Sequence, residues 1–237
     1  MLKPLQDFLL SRSHGIPRSE LLFARQLAAR PFFLQCDAVL DIGANRGMFS
    51  AALALATKGV PFHAFEPLPT LYAELSDRIG RIPGIELHKC GLGAASGTAD
   101  LHHGTFHEAS SLLPMQKRHQ EIFPGSRPTT KTAVPIITLD EFFAARPALQ
   151  QAFIKLDVQG YELEVMKGCQ ASLHRIRAAL VEVSFEDLYE NGASAEEVVA
   201  YFIGQGFLFT GFVRPLFSDR KVFPISGDCL FERADTN

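Results

Sequence analysis

The sequence predicts an α/β fold: a mostly parallel β-sheet covered on both faces by helices. Three observations carry that prediction. Short apolar runs with a β-branched bias, such as AVLDI from Ala38, alternate with segments whose apolar residues recur at helical spacing. Turn residues separate the two kinds of segment, as Gly43 and Gly47 do after the first run. A chain of 237 residues, 47% hydrophobic and 21% charged, supplies one domain with a sizeable core and not two.

Residues 1–35 read as an N-terminal helical extension, with SELLFARQLAAR from Ser19 to Arg30 ended by Pro31. The main domain is expected over 36–237. After AVLDI, Phe49, Ala52, Leu53 and Ala56 mark the first helix, and PFHAFE is the second strand. Leu68, Leu71, Tyr72, Leu75 and Ile79 then lie on one helix face that stops at Gly80. IELHKC, Ile85 to Cys90, is the third strand. The glycines and serines of GLGAASGTADLH predict a hairpin after it in place of a helix. Residues 104–134 contain Pro114, Pro124 and Pro128 and show no period, so a long irregular excursion is expected there. Alternation resumes at TLDEFF, where Thr138 and Glu141 have capping-box spacing. The strands AFIKLDV and AALVEVS follow, then a helix from Ser194 with Glu197 at the same spacing. Closing strands are expected near Phe207–Thr210 and Cys229–Phe231.

Composition excludes several classes of function. A net charge of -3 and a pI near 6.2 create no general field for nucleic acid. Cys36, Cys90, Cys169 and Cys229 stand far apart without a CxxC or Cys/His pattern, so they read as buried free thiols. Phe8-Leu9-Leu10 is too short an apolar core for a secretory signal, and no stretch reaches the roughly 20 apolar residues of a membrane span. A cytoplasmic protein with no membrane span is the expectation.

In a sheet of this kind ligands bind at the carboxyl ends of strands, beside the point where the strand order reverses. The turn VLDIGANRG sits at such an end. Gly43 and Gly47 are expected to let the backbone bend and approach a ligand, while Asp41 and Asn45 supply polar groups. Their G-x-x-x-G spacing lacks both the G-x-G-x-x-G of dinucleotide sites and the GK[ST] of a P-loop. Glu66 ends the second strand on the same edge, where a carboxylate can accept both hydroxyls of a ribose. A nucleoside without pyrophosphate is the implied ligand. The spacing disfavours a nicotinamide-dependent oxidoreductase, and a non-catalytic nucleoside-binding subunit is the other alternative.

VLDIGANRGMFS, AFEP, GLGAASGTA, SSL, TLDEF and IKLDVQGYELEVMKG, in this order and spacing, resemble the FkbM family of S-adenosylmethionine-dependent methyltransferases over about residues 38 to 232. The resemblance implies the class I, Rossmann-like, seven-stranded methyltransferase fold and transfer of a methyl group to hydroxyl oxygens of sugars or natural products. It also implies that Asp41, Gly43, Asn45 and Gly47 line the methionine side of the cofactor. Glu66 would hold the ribose, and Gly91 to Gly93, Leu92 included, would lie by the adenine. Where the family has an acidic residue in D-V-E-G, this chain has Gln159, leaving Asp157 as the motif's carboxylate.

Asp157 ends the fourth strand of the alternating pattern. It can orient or deprotonate the acceptor hydroxyl beside the bound cofactor, or cap the helix that GYELEVMKG begins. Glu182 reads as a structural strand end. His102, His103 and His107 lack the helix and acidic partner of a metal site, so no metal is expected. In a loop near the site, His102 and His107 are candidates to contact substrate or act as base. The acceptor is expected to be small and hydroxylated, a sugar or an anionic glycoside; the basic stretch with Lys117, Arg118 and Arg127 reads either as a solvated loop or as a contact for an anionic acceptor of that kind.

Overall fold

Ala38–Ile42 (β1) and Ala152–Leu156 (β7) are buried residue by residue, and burial on both sides explains why each reads as a continuous apolar run. They pair in parallel, Ala38 opposite Ala152 through Ile42 opposite Leu156. The structure, a computed structural model, describes residues 15–57, 59–104, 109–217 and 222–234. Outward from β1 lie Phe62–Phe65 (β2) and Ile85–His88 (β3). Outward from β7 lie Ile176–Ser184 (β8), Ser226–Arg233 (β10) and Phe207–Leu216 (β9), giving a seven-stranded sheet ordered β3-β2-β1-β7-β8-β10-β9. β10 runs antiparallel to both its neighbours, and the other pairings are parallel. The strand order reverses between β1 and β7, so their carboxyl ends frame a crevice.

Successive residues of β1 point to opposite faces and feed two separate cores. Val39 packs with Phe62, Phe153 and Leu180 beneath Arg18–Ala28 (α1), Met48–Ala56 (α2) and Pro69–Ile79 (α3). Leu40 and Ile42 pack on the other face with Ile154 and Val181, under Leu139–Ala144 (α5), Glu162–Lys167 (α6) and Ala195–Gly204 (α7). The described part of the extension, residues 15–35, joins the first core. Ile16, Ala24, Leu27, Phe32 and Phe33 are buried in it, and the Phe32 ring stacks on Phe153 at 5.7 Å. Ser194 and Glu197 close the expected capping box. Thr138 accepts from the Glu141 N–H at 3.0 Å, but the Glu141 carboxylate takes the Ser96 hydroxyl in place of completing the box. All four cysteines are free thiols, with Cys90 half-buried and the others buried.

The expected hairpin is different in fact. Gly91–Leu92 (β4) and Gly97–Gly104 (β5) do not pair with each other, because Pro128–Ile137 (β6) lies between them in a three-stranded sheet ordered β4-β6-β5. β5 pairs antiparallel with β6, Gly97 opposite Ile136 onwards, and β4 runs parallel to it. The irregular excursion expected over 104–134 therefore ends in a strand and also contains a short helix, Lys117–Ile122 (α4). Its prolines hid the strand, and the partner that stabilises it lies some thirty residues away. Among the described residues no helix is long and apolar enough to cross a membrane.

Candidate active site

The turn leaving β1 is fastened from three sides. Gly43 has φ +82°, and a β-carbon there would stand 2.0 Å from the Asp157 carbonyl oxygen. Gly47 has φ +74°, and a β-carbon there would meet Leu75 Cδ1 at 2.6 Å. Both glycines are thus required inside the fold as well: they let the turn approach the end of β7 and helix α3. Asn45, also left-handed at φ +49°, donates its N–H to Glu66 Oε2 at 3.0 Å, which ties the turn to the end of β2.

Asp41 is fully buried; its Oδ2 accepts from the Ser50 hydroxyl at 2.7 Å and its Oδ1 has no hydrogen bond. Burial pushes the Asp41 carboxyl up, while Lys155, 3.8 Å from Oδ1, and Ser50 draw it down. Asp41 and Gly47 do not line the neighbouring cleft. They shape the turn that does.

That cleft, about 240 Å³, is lined by Gly43, Asn45, Glu66, Gly91, Leu92 and Asp157, six of the positions expected to meet the cofactor. Phe65, Leu71, Leu101 and Leu112 supply an apolar wall, and Ser110 and Ser111 add hydroxyls to the lining. Glu66 is 5% exposed, and each carboxylate oxygen accepts one backbone N–H, from Asn45 and from Leu68 at 2.8 Å. Burial raises its carboxyl to about 7 against the pull of those two N–H groups. Each oxygen keeps a further lone pair, so it can accept from a ligand diol, and the apolar wall suits a base ring.

At the far end of the cleft five residues form one polar network. Lys155, 6% exposed, donates to Asp157 Oδ2 at 2.9 Å. Gln159 Nε2 donates to Asp157 Oδ1 at 2.9 Å and to Glu182 Oε2 at 2.5 Å, and the Tyr189 hydroxyl lies 2.9 Å from Gln159 Oε1. Gln159 is held with φ +56°, and its carbonyl accepts from the Ser111 hydroxyl at 2.8 Å. Burial works to raise Asp157, but Lys155 and the hydrogen bonds overcome it and bring the carboxyl down to about 2. Glu182 goes the other way, well above the usual carboxylate range, through burial and then the Asp157 charge. The shared environment thus drives the two carboxyls apart, Asp157 toward the ionised form and Glu182 toward the protonated one. Asp157 does not cap α6. Glu162 Oε1 takes the Val158 and Gly160 N–H groups at 3.2 Å instead, its carboxyl raised to about 7 chiefly by burial.

Gln159 and Glu182 also line a second cavity of about 550 Å³, so the two spaces meet at this network. Its walls include Ile122, Phe123, Pro124, Leu188, Tyr189 and Leu216, with Glu162, Glu186, Asp187 and His119 among them. The excursion thus contributes one side, but Lys117, Arg118 and Arg127 are not in the lining. Arg118 is instead paired with Glu121 at 3.0 Å and Glu186 at 2.8 Å. His102 lies on β5 and lines neither cavity, His103 bonds Thr130 and Thr132 across to β6, and His107 lies outside the described residues. Sequence reasoning named Gln159 beside Asp157, read Glu182 as a structural strand end and missed Tyr189; the structure joins all three in one network.

The family model for the methyltransferase FkbM domain matches residues 41–209. The chain is 28% identical over 218 residues to the 31-O-demethyl-FK506 methyltransferase FkbM of Streptomyces tacrolimicus, covering 80% of each. It is 30% identical over 148 residues to the hexuronic acid methyltransferase AglP of Haloferax volcanii, covering 62% of this chain and 56% of that one. The solved structure of EvdMO1 superposes with a TM-score of 0.50 at 10% identity over 92% of this chain and 41% of the other, a likeness of fold.

Proposed function

This chain belongs to the methyltransferase FkbM domain family, and on that premise we propose that it moves the methyl group of S-adenosylmethionine to a hydroxyl oxygen of a small neutral acceptor with an apolar face. The observation that carries the reading is the meeting of two cavities at Gln159 and Glu182, one with the donor set of a nucleoside site and one large enough for an acceptor. Relatives whose names state O-methylation or a hexuronic acid substrate support the oxygen as target. Membership in the family turns aside the nicotinamide and non-catalytic alternatives.

S-adenosylmethionine, when bound, supplies a methyl group on a sulfonium, an electrophile that needs alignment more than activation. Glu66 would accept the ribose hydroxyls, and Phe65, Leu71, Leu92 and Leu101 would cover the adenine. Asp157, kept ionised by Lys155, offers an anionic oxygen at the junction, where it can accept the hydrogen bond of an acceptor hydroxyl and aim its lone pair. A carboxyl held near 2 is a weak base toward a free hydroxyl. Once the new carbon–oxygen bond forms, however, the oxygen becomes far more acidic than a carboxylic acid, and Asp157 can take its proton. Gln159 fixes Asp157 Oδ1 and so leaves the carboxylate little freedom to turn away.

The acceptor cavity argues against the anionic glycoside expected from the basic stretch, since no Lys or Arg is among its described lining residues while Glu162, Glu182, Glu186 and Asp187 are. The test is transfer of an isotopically labelled methyl group to a panel of neutral glycosides, hydroxylated macrocycles and uronic acids. Labelled O-methyl product from the neutral members is expected. Exclusive labelling of nitrogen or carbon acceptors would overturn the proposed chemistry, and preference for uronic acids would overturn the acceptor class.

A further inference from the structure

Away from both cavities, two histidines and a glutamate converge on the outer strands of the main sheet. The register sets His63 of β2 opposite Glu86 of β3 and Phe65 opposite His88, so Glu86 and His88, two residues apart, share a face with His63. His63 Nδ1 lies 3.2 Å from His88 Nε2 and 3.3 Å from Glu86 Oε2, and His88 Nε2 lies 3.6 Å from Glu86 Oε1. Zinc bonds of about 2.0–2.2 Å in tetrahedral geometry put neighbouring donors about 3.3–3.6 Å apart. We infer that His63, Glu86 and His88 form a binding site for a divalent transition ion of the zinc class, with the fourth position open to solvent.

Two features beyond the spacing support this. Phe142 packs edge-on against both rings, at 5.0 and 5.7 Å, and walls the site with hydrocarbon. Arg146 donates to Glu86 Oε1 at 2.6 Å, which fixes the carboxylate and leaves Oε2 turned toward His63, the role that outer hydrogen bonds commonly serve for metal-ligating carboxylates. Two nitrogen donors and one oxygen favour zinc over calcium or magnesium, which prefer all-oxygen sets.

The site would staple the edge strand β3, whose pairing in this sheet is with β2. It also reaches the cofactor end of the molecule, because the His88 ring stacks on Phe65 at 4.4 Å and Phe65 lines the smaller cavity. No step of methyl transfer passes through it, so binding can be measured apart from activity.

The experiment uses the full chain, stripped with chelator, desalted and titrated with Zn²⁺ by calorimetry and with Co²⁺ by visible absorption. One equivalent of metal and the intense bands of four-coordinate cobalt are expected. Glu86→Gln and His88→Gln should each weaken binding by roughly 100-fold or more, beyond the loss of roughly 10–100-fold that follows removal of a merely supporting hydrogen bond. Glu86 is exposed, so Glu86→Gln keeps the test decisive even if a histidine variant folds poorly. Failure to bind a stoichiometric ion, or undiminished binding in a folded Glu86→Gln protein, overturns the inference. His103→Gln is the control that should change nothing.

Discussion

Gln159→Glu replaces one NH₂ group by oxygen with no change of shape, and the network around it converts that exchange into a pH-dependent loss of stability. In the native protein the Gln159 amide donates to Asp157 Oδ1 at 2.9 Å and to Glu182 Oε2 at 2.5 Å. An ionised carboxylate in place of that amide would face the Asp157 charge at the same 2.9 Å, a repulsion of about 6 kcal/mol at an effective dielectric of 20. Taking up a proton is cheaper: from an ordinary glutamate near 4.3 it costs about 4 kcal/mol at pH 7, at about 1.4 kcal/mol for each pH unit.

The new carboxyl is therefore protonated in the folded state and ionised in the unfolded one. Its folded pKa is raised, so the folded state binds more protons, and stability present below about pH 4.3 is lost as pH rises toward the folded pKa. Between pH 5 and 8 the gap to the parent protein should widen by up to about 4 kcal/mol. At 2–4 °C per kcal/mol for a domain of this size, that is about 8–16 °C in melting temperature. Paired melts of parent and variant across this range measure it. A gap that stays constant with pH would refute the reasoning, because it would mean that the amide does not lie between two carboxyl groups.

Glu66→Gln should weaken S-adenosylhomocysteine binding by roughly 10- to 150-fold in calorimetry, the equivalent of one lost charge-assisted contact. Because burial lifts the Glu66 carboxyl to about 7 and a ribose diol prefers the ionised form, the parent's affinity should itself fall as pH drops below 7 and level off above it. Asp157→Asn should lower turnover by about 10²–10⁴-fold and, by leaving Lys155 without its nearer carboxylate, cost about 3–5 kcal/mol in denaturant unfolding; near-normal turnover would remove Asp157 from the reaction. Phe123→Ala should raise the acceptor KM while changing S-adenosylhomocysteine affinity by no more than about twofold, since Phe123 lines the larger cavity alone of the two.

What could be read in advance follows the range of the signal. The βα units through Ile79, the stop at Gly80 and the Ser194–Glu197 box depend on residues within a turn or two of one another, and the structure keeps them. Glu66 was legible for the same reason, as an acid closing a strand beside a glycine turn. Strand β6 was not, because its prolines speak locally while its stability comes from pairing with Gly97–Gly104. The glycines show the distinction within one residue type. That Gly43 must be glycine is written in the turn, but the atom that demands it is the carbonyl of Asp157, brought over from β7 by parallel pairing.

The charges of the site lie furthest from what a sequence can reveal. Asp41 and Asp157 stand out in the sequence by their place at strand ends, but Lys155 and Glu182 as isolated letters each read as ordinary strand residues, and nothing in the sequence shows that the four meet. Assembled, Lys155 stands 2.9 Å from Asp157 and 3.8 Å from Asp41, and it holds the first ionised while burial pushes the second up. Burial and then the Asp157 charge push the Glu182 carboxyl up. Capping and catalysis both want an aspartate at the end of that strand, so the letter alone could not separate them. The structure does: no side chain caps α6, and Glu162 takes the Val158 and Gly160 N–H groups of the loop before it. The Asp157 carboxylate meanwhile lines the cleft, its two oxygens steadied by Lys155 and Gln159. A residue kept anionic, held in one orientation and turned toward a nucleoside-sized cavity suits the aiming of a hydroxyl better than the finishing of a helix.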